Sequence, residues 1–143
     1  MRKIFIMLLV VPILLTGCLN GNKDFETTCS KSEESEGFVE QVNYKIYSNN
    51  SNNITKVVET HTLTYNNEYG KVTFDAAKQS LKSYGESKKF EVEVIKDSET
   101  QYEVSFTLNI SKFKDSELKE MNFKRYYYDQ MNVYKQDMTC SKR

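Results

Sequence analysis

Tyr102-Glu103-Val104-Ser105-Phe106-Thr107-Leu108-Asn109-Ile110 alternates apolar and polar residues without a slip. In a strand a period of two sends successive side chains to opposite sides, so one face of this segment is apolar and the other polar. Half-polar strands of this kind belong in an antiparallel sheet with one face covered. The same pattern occurs upstream. Phe38, Val42, Tyr44 and Ile46 fall on one parity, with Gln41, Asn43 and Lys45 on the other. Ser48-Asn49-Asn50-Ser51-Asn52-Asn53 then reads as a turn. Beyond it Val57, Leu63 and Tyr65 share one parity, while Thr60, Thr62 and Thr64 take the other. The two segments predict a long antiparallel hairpin. Phe90, Val92 and Val94 predict a further strand, and Lys96-Asp97-Ser98-Glu99 turns the chain into the segment quoted first.

Elsewhere the period changes to that of a helix. Phe74, Ala77, Leu81 and Tyr84 lie at i, i+3, i+7 and i+10. Thr73 is the expected N-cap, Asp75 suits the first turn, and Gly85 is the expected stop. Tyr127, Met131, Tyr134 and Met138 lie at i, i+4, i+7 and i+11, and this stripe leads directly to Cys140. A shorter helix is expected over residues 116–121. The predicted fold class is α+β, an antiparallel meander sheet of four or five strands with two principal helices packed on one face.

The N-terminus reads differently. Arg2 and Lys3 precede an almost wholly apolar run from Ile4 to Leu15, broken by Pro12. A dozen residues are too few to span a bilayer, which takes roughly 20, and the combination reads as a signal peptide. Leu15-Thr16-Gly17-Cys18 follows and resembles the lipobox of bacterial lipoproteins. That resemblance implies cleavage between Gly17 and Cys18 and a diacylglycerol on the Cys18 thiol. Two or three acyl chains anchor stably where one is marginal, at about 0.8 kcal/mol per buried methylene. The expected organisation is a signal peptide over residues 1–17, a lipidated N-terminus and short tether over 18–24, and a single α+β domain over 25–143. Of 20 basic and 20 acidic residues, Arg2 and Lys3 leave with the signal, so the remainder carries a net charge of about −2. No basic field for nucleic acid is present.

Three cysteines less Cys18 leave Cys29 and Cys140, in the echoing strings Thr28-Cys29-Ser30-Lys31 and Thr139-Cys140-Ser141-Lys142. In an exported protein such a pair most simply forms a disulfide. It would close a loop of about 110 residues, for which chain-entropy models give roughly 4–5 kcal/mol. It would also pin the C-terminal tail beside the first strand. Free thiols, a redox pair or a metal site are the alternatives, and neither a Cys-x-x-Cys motif nor a cluster of histidines supports the last two.

Signals for catalysis are sparse. His61, the one histidine, has a pKa suited to a general base, but no Ser or Cys motif accompanies it; a surface or half-buried strand position is the better reading. Glu33-Glu34-Ser35-Glu36 could attract a hard cation, yet lacks the spacing and glycine of a calcium loop, and reads as a solvated strand end or turn. Tyr126-Tyr127-Tyr128 could stack on sugars or peptides. Three successive helical residues spread over about 200°, so Tyr127 is expected in the core and the other two partly exposed. Nor is there a Gly-rich phosphate loop.

A lipobox, a Cys-bearing strand, a hairpin containing Thr55-Lys56-Val57, a helix, a second hairpin and a C-terminal helix ending in Thr139-Cys140 follow in order. Together they resemble the YehR-like family of small bacterial lipoproteins over most of residues 27–142. The resemblance implies a lipid-anchored α+β domain and no established activity, so no catalytic residue comes with it. The expectation is a bacterial envelope lipoprotein, anchored on the extracytoplasmic side of the membrane. It would be a non-catalytic module, without cofactor or metal, that binds an envelope protein or small ligand at the membrane surface. The alternative is a structural or accessory component of an envelope complex with no small ligand.

Overall fold

The computed structural model describes residues 24–87 and 89–142. Strands β1 (Phe25–Ser35), β2 (Phe38–Ser48) and β3 (Ile54–Tyr65) form an antiparallel meander. Helix α1 (Glu68–Ser87) follows, then the hairpin β4 (Glu91–Asp97) and β5 (Gln101–Asn109). A 3-10 turn (Ile110–Lys112) leads to α2 (Asp115–Glu120), α3 (Tyr127–Asp137) and β6 (Thr139–Lys142). The sheet order is β4-β5-β3-β2-β1-β6, every neighbouring pair antiparallel. The α+β class and the helices on one face are as expected. The strands number six rather than four or five, because residues 139–142 add a strand at the β1 edge. Four residues are too few to show an alternation.

Turn chemistry fixes the register. Glu36 and Gly37 both take positive φ, 47° and 85°, the two-residue hairpin geometry whose twist matches that of the flanking strands. Between β2 and β3, Asn49 Oδ1 accepts from the backbone of Ser51 at 2.9 Å and Asn53 at 3.1 Å, and Asn52 is left-handed at φ 64°. Short amide side chains suit both tasks.

Register then carries the parities across the sheet. Ile46 faces Val57, which faces Leu108; Val42 faces His61, which faces Val104. On this face Ile46, Val57, Leu63, Val104, Phe106 and Leu108 are fully buried beneath Phe74 of α1, Leu118 of α2, and Met131 and Tyr134 of α3. Each such apolar side chain contributes roughly 1.5–3 kcal/mol. Among the described residues no helix covers the opposite face, where Thr60 and Ser105 hydrogen-bond at 3.1 Å.

The stripe Phe74, Ala77, Leu81 and Tyr84 packs on the core, but both ends of α1 differ from expectation. It begins at Glu68, where Asn67 Oδ1 accepts from Gly70 N at 2.8 Å, so Asn67 rather than Thr73 is the cap. It passes through Gly85, which lets the helix approach Phe106 and Val92 instead of ending it; a Cβ there would stand 3.1 Å and 3.2 Å from them. Helix α2 closes with Asn122 in the left-handed region, Asn122 N donating to Lys119 O and Phe123 N to Leu118 O. This Schellman ending brings Phe123 against the core beside Leu118.

Candidate functional site

The register that builds the core also carries charge on to it. Glu59 and His61 share the parity of Val57 and Leu63, and Glu40 that of Phe38 and Val42, so all three stand on the covered face. His61 Nδ1 lies 2.8 Å from Glu40 Oε1 and Nε2 lies 2.8 Å from Glu59 Oε1. Tyr44 donates to the same Glu59 oxygen at 2.7 Å. The His61 side chain is 12% exposed, that of Glu59 8% and that of Glu40 28%. Glu59 Oε2 is buried without a hydrogen-bond partner among the described residues.

Burial pulls the His61 pKa down, but the hydrogen bonds and charges of Glu40 and Glu59 outweigh it and raise the pKa to about 9. The hydrogen bond from His61 holds Glu40 below its ordinary value against its own burial. Burial pushes the Tyr44 phenol well up, aided by the charge on Glu59, so it remains a donor. His61 is therefore an imidazolium with both nitrogens committed, and it presents no free lone pair. The two carboxylates sit on opposite sides of its ring rather than converging on one point. Among the described residues no group of three or more His, Cys, Asp and Glu side chains is arranged to hold a metal. The arrangement supplies orientation and a buried positive charge.

A second feature lies where the chain enters the sheet. Phe25, Ser48, Asn49, Asn50, Asn52 and Tyr128 surround a cleft of about 280 Å³ whose floor is Thr27 and Tyr127. Thr27 Oγ1 and the Tyr127 hydroxyl are hydrogen-bonded at 2.9 Å. The 49–53 loop is fastened to the start of α3: Tyr127 N donates to Asn52 O at 2.9 Å, and Tyr128 N to Asn52 Oδ1 at 3.2 Å. Aromatic rings, amides and hydroxyls line this cleft, and among the described residues no charged side chain does. That chemistry suits a ligand with apolar faces and hydrogen-bonding edges.

Cys18 lies outside the described residues. Cys29 and Cys140 face one another across β1 and β6 and are joined, with S–S 2.05 Å. Glu33, Glu34 and Ser35 end β1 in solvent and Glu36 is in the turn, as expected. Tyr127 is in the core, with Tyr126 and Tyr128 exposed, also as expected. His61 is half-buried on β3, within the expected reading, but it stands on the covered face at the centre of a charged network. The parity of Val57 and Leu63 was the signal for it. Asn49 and Asn52 read only as turn formers, although they also hold α3 in place.

No protein-family model matches the chain, and no curated protein matches it. Among solved structures it is similar to the NMR structure of the protein from Streptococcus pneumoniae TIGR4, with a TM-score of 0.54 and 11% identity. The likeness covers 99% of this chain and 98% of that one. At that identity it bears on the fold alone.

Proposed function

We propose that this is an exported, lipid-anchored bacterial envelope protein whose domain is a non-catalytic binding module working at the membrane surface. The observation that carries the reading is the Cys29–Cys140 bridge, since such bonds persist in oxidising compartments outside the cytosol. The lipobox ending at Cys18 supports the anchor. The order of elements, from the Cys-bearing strand to the helix ending in Thr139-Cys140, supports kinship with the YehR-like lipoproteins. The cleft between Phe25 and Tyr128 supports binding, and its lining supplies recognition groups rather than a nucleophile and base.

Two measurements test this. Labelling of cells with a fatty-acid analogue should mark the wild-type chain, and Cys18→Ala should lose the label and remain unprocessed; normal labelling of that variant defeats the anchor. Thermal unfolding of the oxidised protein against sugars, peptides and lipid head groups should show a dose-dependent rise in Tm, because a ligand for the folded state stabilises it by mass action. Tyr128→Ala should abolish that rise. A flat panel removes the small-ligand reading and leaves the accessory component.

A further inference from the structure

We propose that the end of the domain bearing the cleft rests on the lipid bilayer, with Phe25 and Tyr128 seated at head-group depth. This inference rests on the lipid-anchored reading of Cys18 and names the partner of the same cleft.

Chain length sets the first constraint. Six residues separate Cys18 from Phe25, and the seven Cα steps between them, at no more than 3.6 Å each, reach about 25 Å. An eleven-residue strand such as β1 is longer, at about 36 Å. A lipid on Cys18 therefore keeps the Phe25 end of the sheet within about 25 Å of the bilayer in every orientation, whereas the Glu36–Gly37 end, with exposed Tyr69 beside it, is a further strand length from the anchor. The tether favours contact through the Phe25 end.

The second observation is what that end displays. Phe25 is 48% exposed and Tyr128 62%, and both border one cleft. Each sits on a fixed support. Phe25 is paired to Ser48 at the start of β1, and the backbone of Tyr128 is tied to Asn52. The backbone beneath each ring is therefore already ordered, and an aromatic side chain has only two torsions to fix against lipid. Tyrosine suits this depth, its ring apolar and its hydroxyl wet, and aromatic residues gather at membrane interfaces for that reason. Asn50 is exposed at the rim and presents amide groups to ester and phosphate oxygens. With no charged side chain among the described lining residues, the contact is apolar and amide-based and should hold on neutral lipid and at high salt.

The chain has no tryptophan, so a single introduced one reports alone. Full-length acylated protein would be purified from membranes, its acyl mass verified, and reconstituted in phosphatidylcholine vesicles carrying bromine near the head-group end of the acyl chains. Tyr128→Trp, and Phe25→Trp as a second reporter, should be quenched about twofold or more, as expected for a ring at the interface. Tyr69→Trp, and Val94→Trp on the exposed β4 edge, should not. Acylated protein with unquenched Trp at 128 and 25 overturns the docking and leaves the anchor standing, as does quenching at 94 or 69 instead. Protein with no acyl mass overturns both.

Discussion

Between Glu40 and Glu59 the His61 ring donates through both nitrogens, and its folded pKa stands at about 9 against an ordinary 6.5. A group raised on folding stabilises fully below its unfolded pKa and loses that contribution as pH climbs through the folded one. Glu40 is lowered from 4.5, so its contribution is present above 4.5 and is lost as pH falls through its folded value. Both act together between about pH 4.5 and 6.5. Urea unfolding across pH 5–9.5 should show stability falling from pH 6.5 towards 9; a flat profile there would sink the assignment. His61→Ala should cost about 3–5 kcal/mol, since it leaves two carboxylates facing each other without their cation, and it should erase the alkaline decline. The parity of Val57 and Leu63 was the one sequence signal that Glu59 and His61 share the covered face. It could not supply Glu40 as partner, because that needs the β2–β3 register, which shifts at a bulge between Tyr47 and Ser48. A strand's alternation says which side a residue faces, not what stands across from it.

At the scale of elements, the first turn of α1 lies against the β1–β2 turn. A Cβ on Gly70 would stand 2.3 Å from Gly37 O, whereas one on Gly85 meets only the side chains of Phe106 and Val92. Alanine gains about 1 kcal/mol over glycine inside a helix, but forcing an atom into backbone costs about 1–3 kcal/mol. Gly70→Ala should therefore destabilise in urea unfolding, and Gly85→Ala should cost less. A stabilised Gly70→Ala would show that the helix end is free to shift. This contact also explains why the start of α1 was hidden. Tyr69 and Val72 face solvent, so the apolar stripe that marks the helix begins only at Phe74. The cap at Asn67 is recognisable from its bond to Gly70 rather than from its neighbours in sequence. Long strands with one buried face were legible, since β2, β3 and β5 each repeat the parity several times. Strand β6 was not, because its pairing comes from β1 and the bridge.

Across the whole molecule, Cys29 and Cys140 are 111 residues apart, and the bond between them spans nearly the entire domain. A loop of that length corresponds to about 4–5 kcal/mol in chain-entropy models. Replacing both cysteines with serine should lower stability by up to that amount, and hydrogen exchange should show the β6 amides opening while those of β2, β3 and β5 stay protected. Unchanged β6 protection would mean the short strand holds without its bridge. The sheet order gives the same bond a mechanical meaning. β1 is an interior strand, flanked by β2 along its full length and by β6 over four pairs. A pull applied at Phe25 runs along the strand axis, across hydrogen bonds that lie perpendicular to it. The pairs are loaded in shear and share the force, where an edge strand peeled from its end would yield one pair at a time. The covalent clamp at Cys29, four residues in, passes that force to β6 before it reaches the hairpin, so a domain pulled from Phe25 is loaded through two neighbours at once.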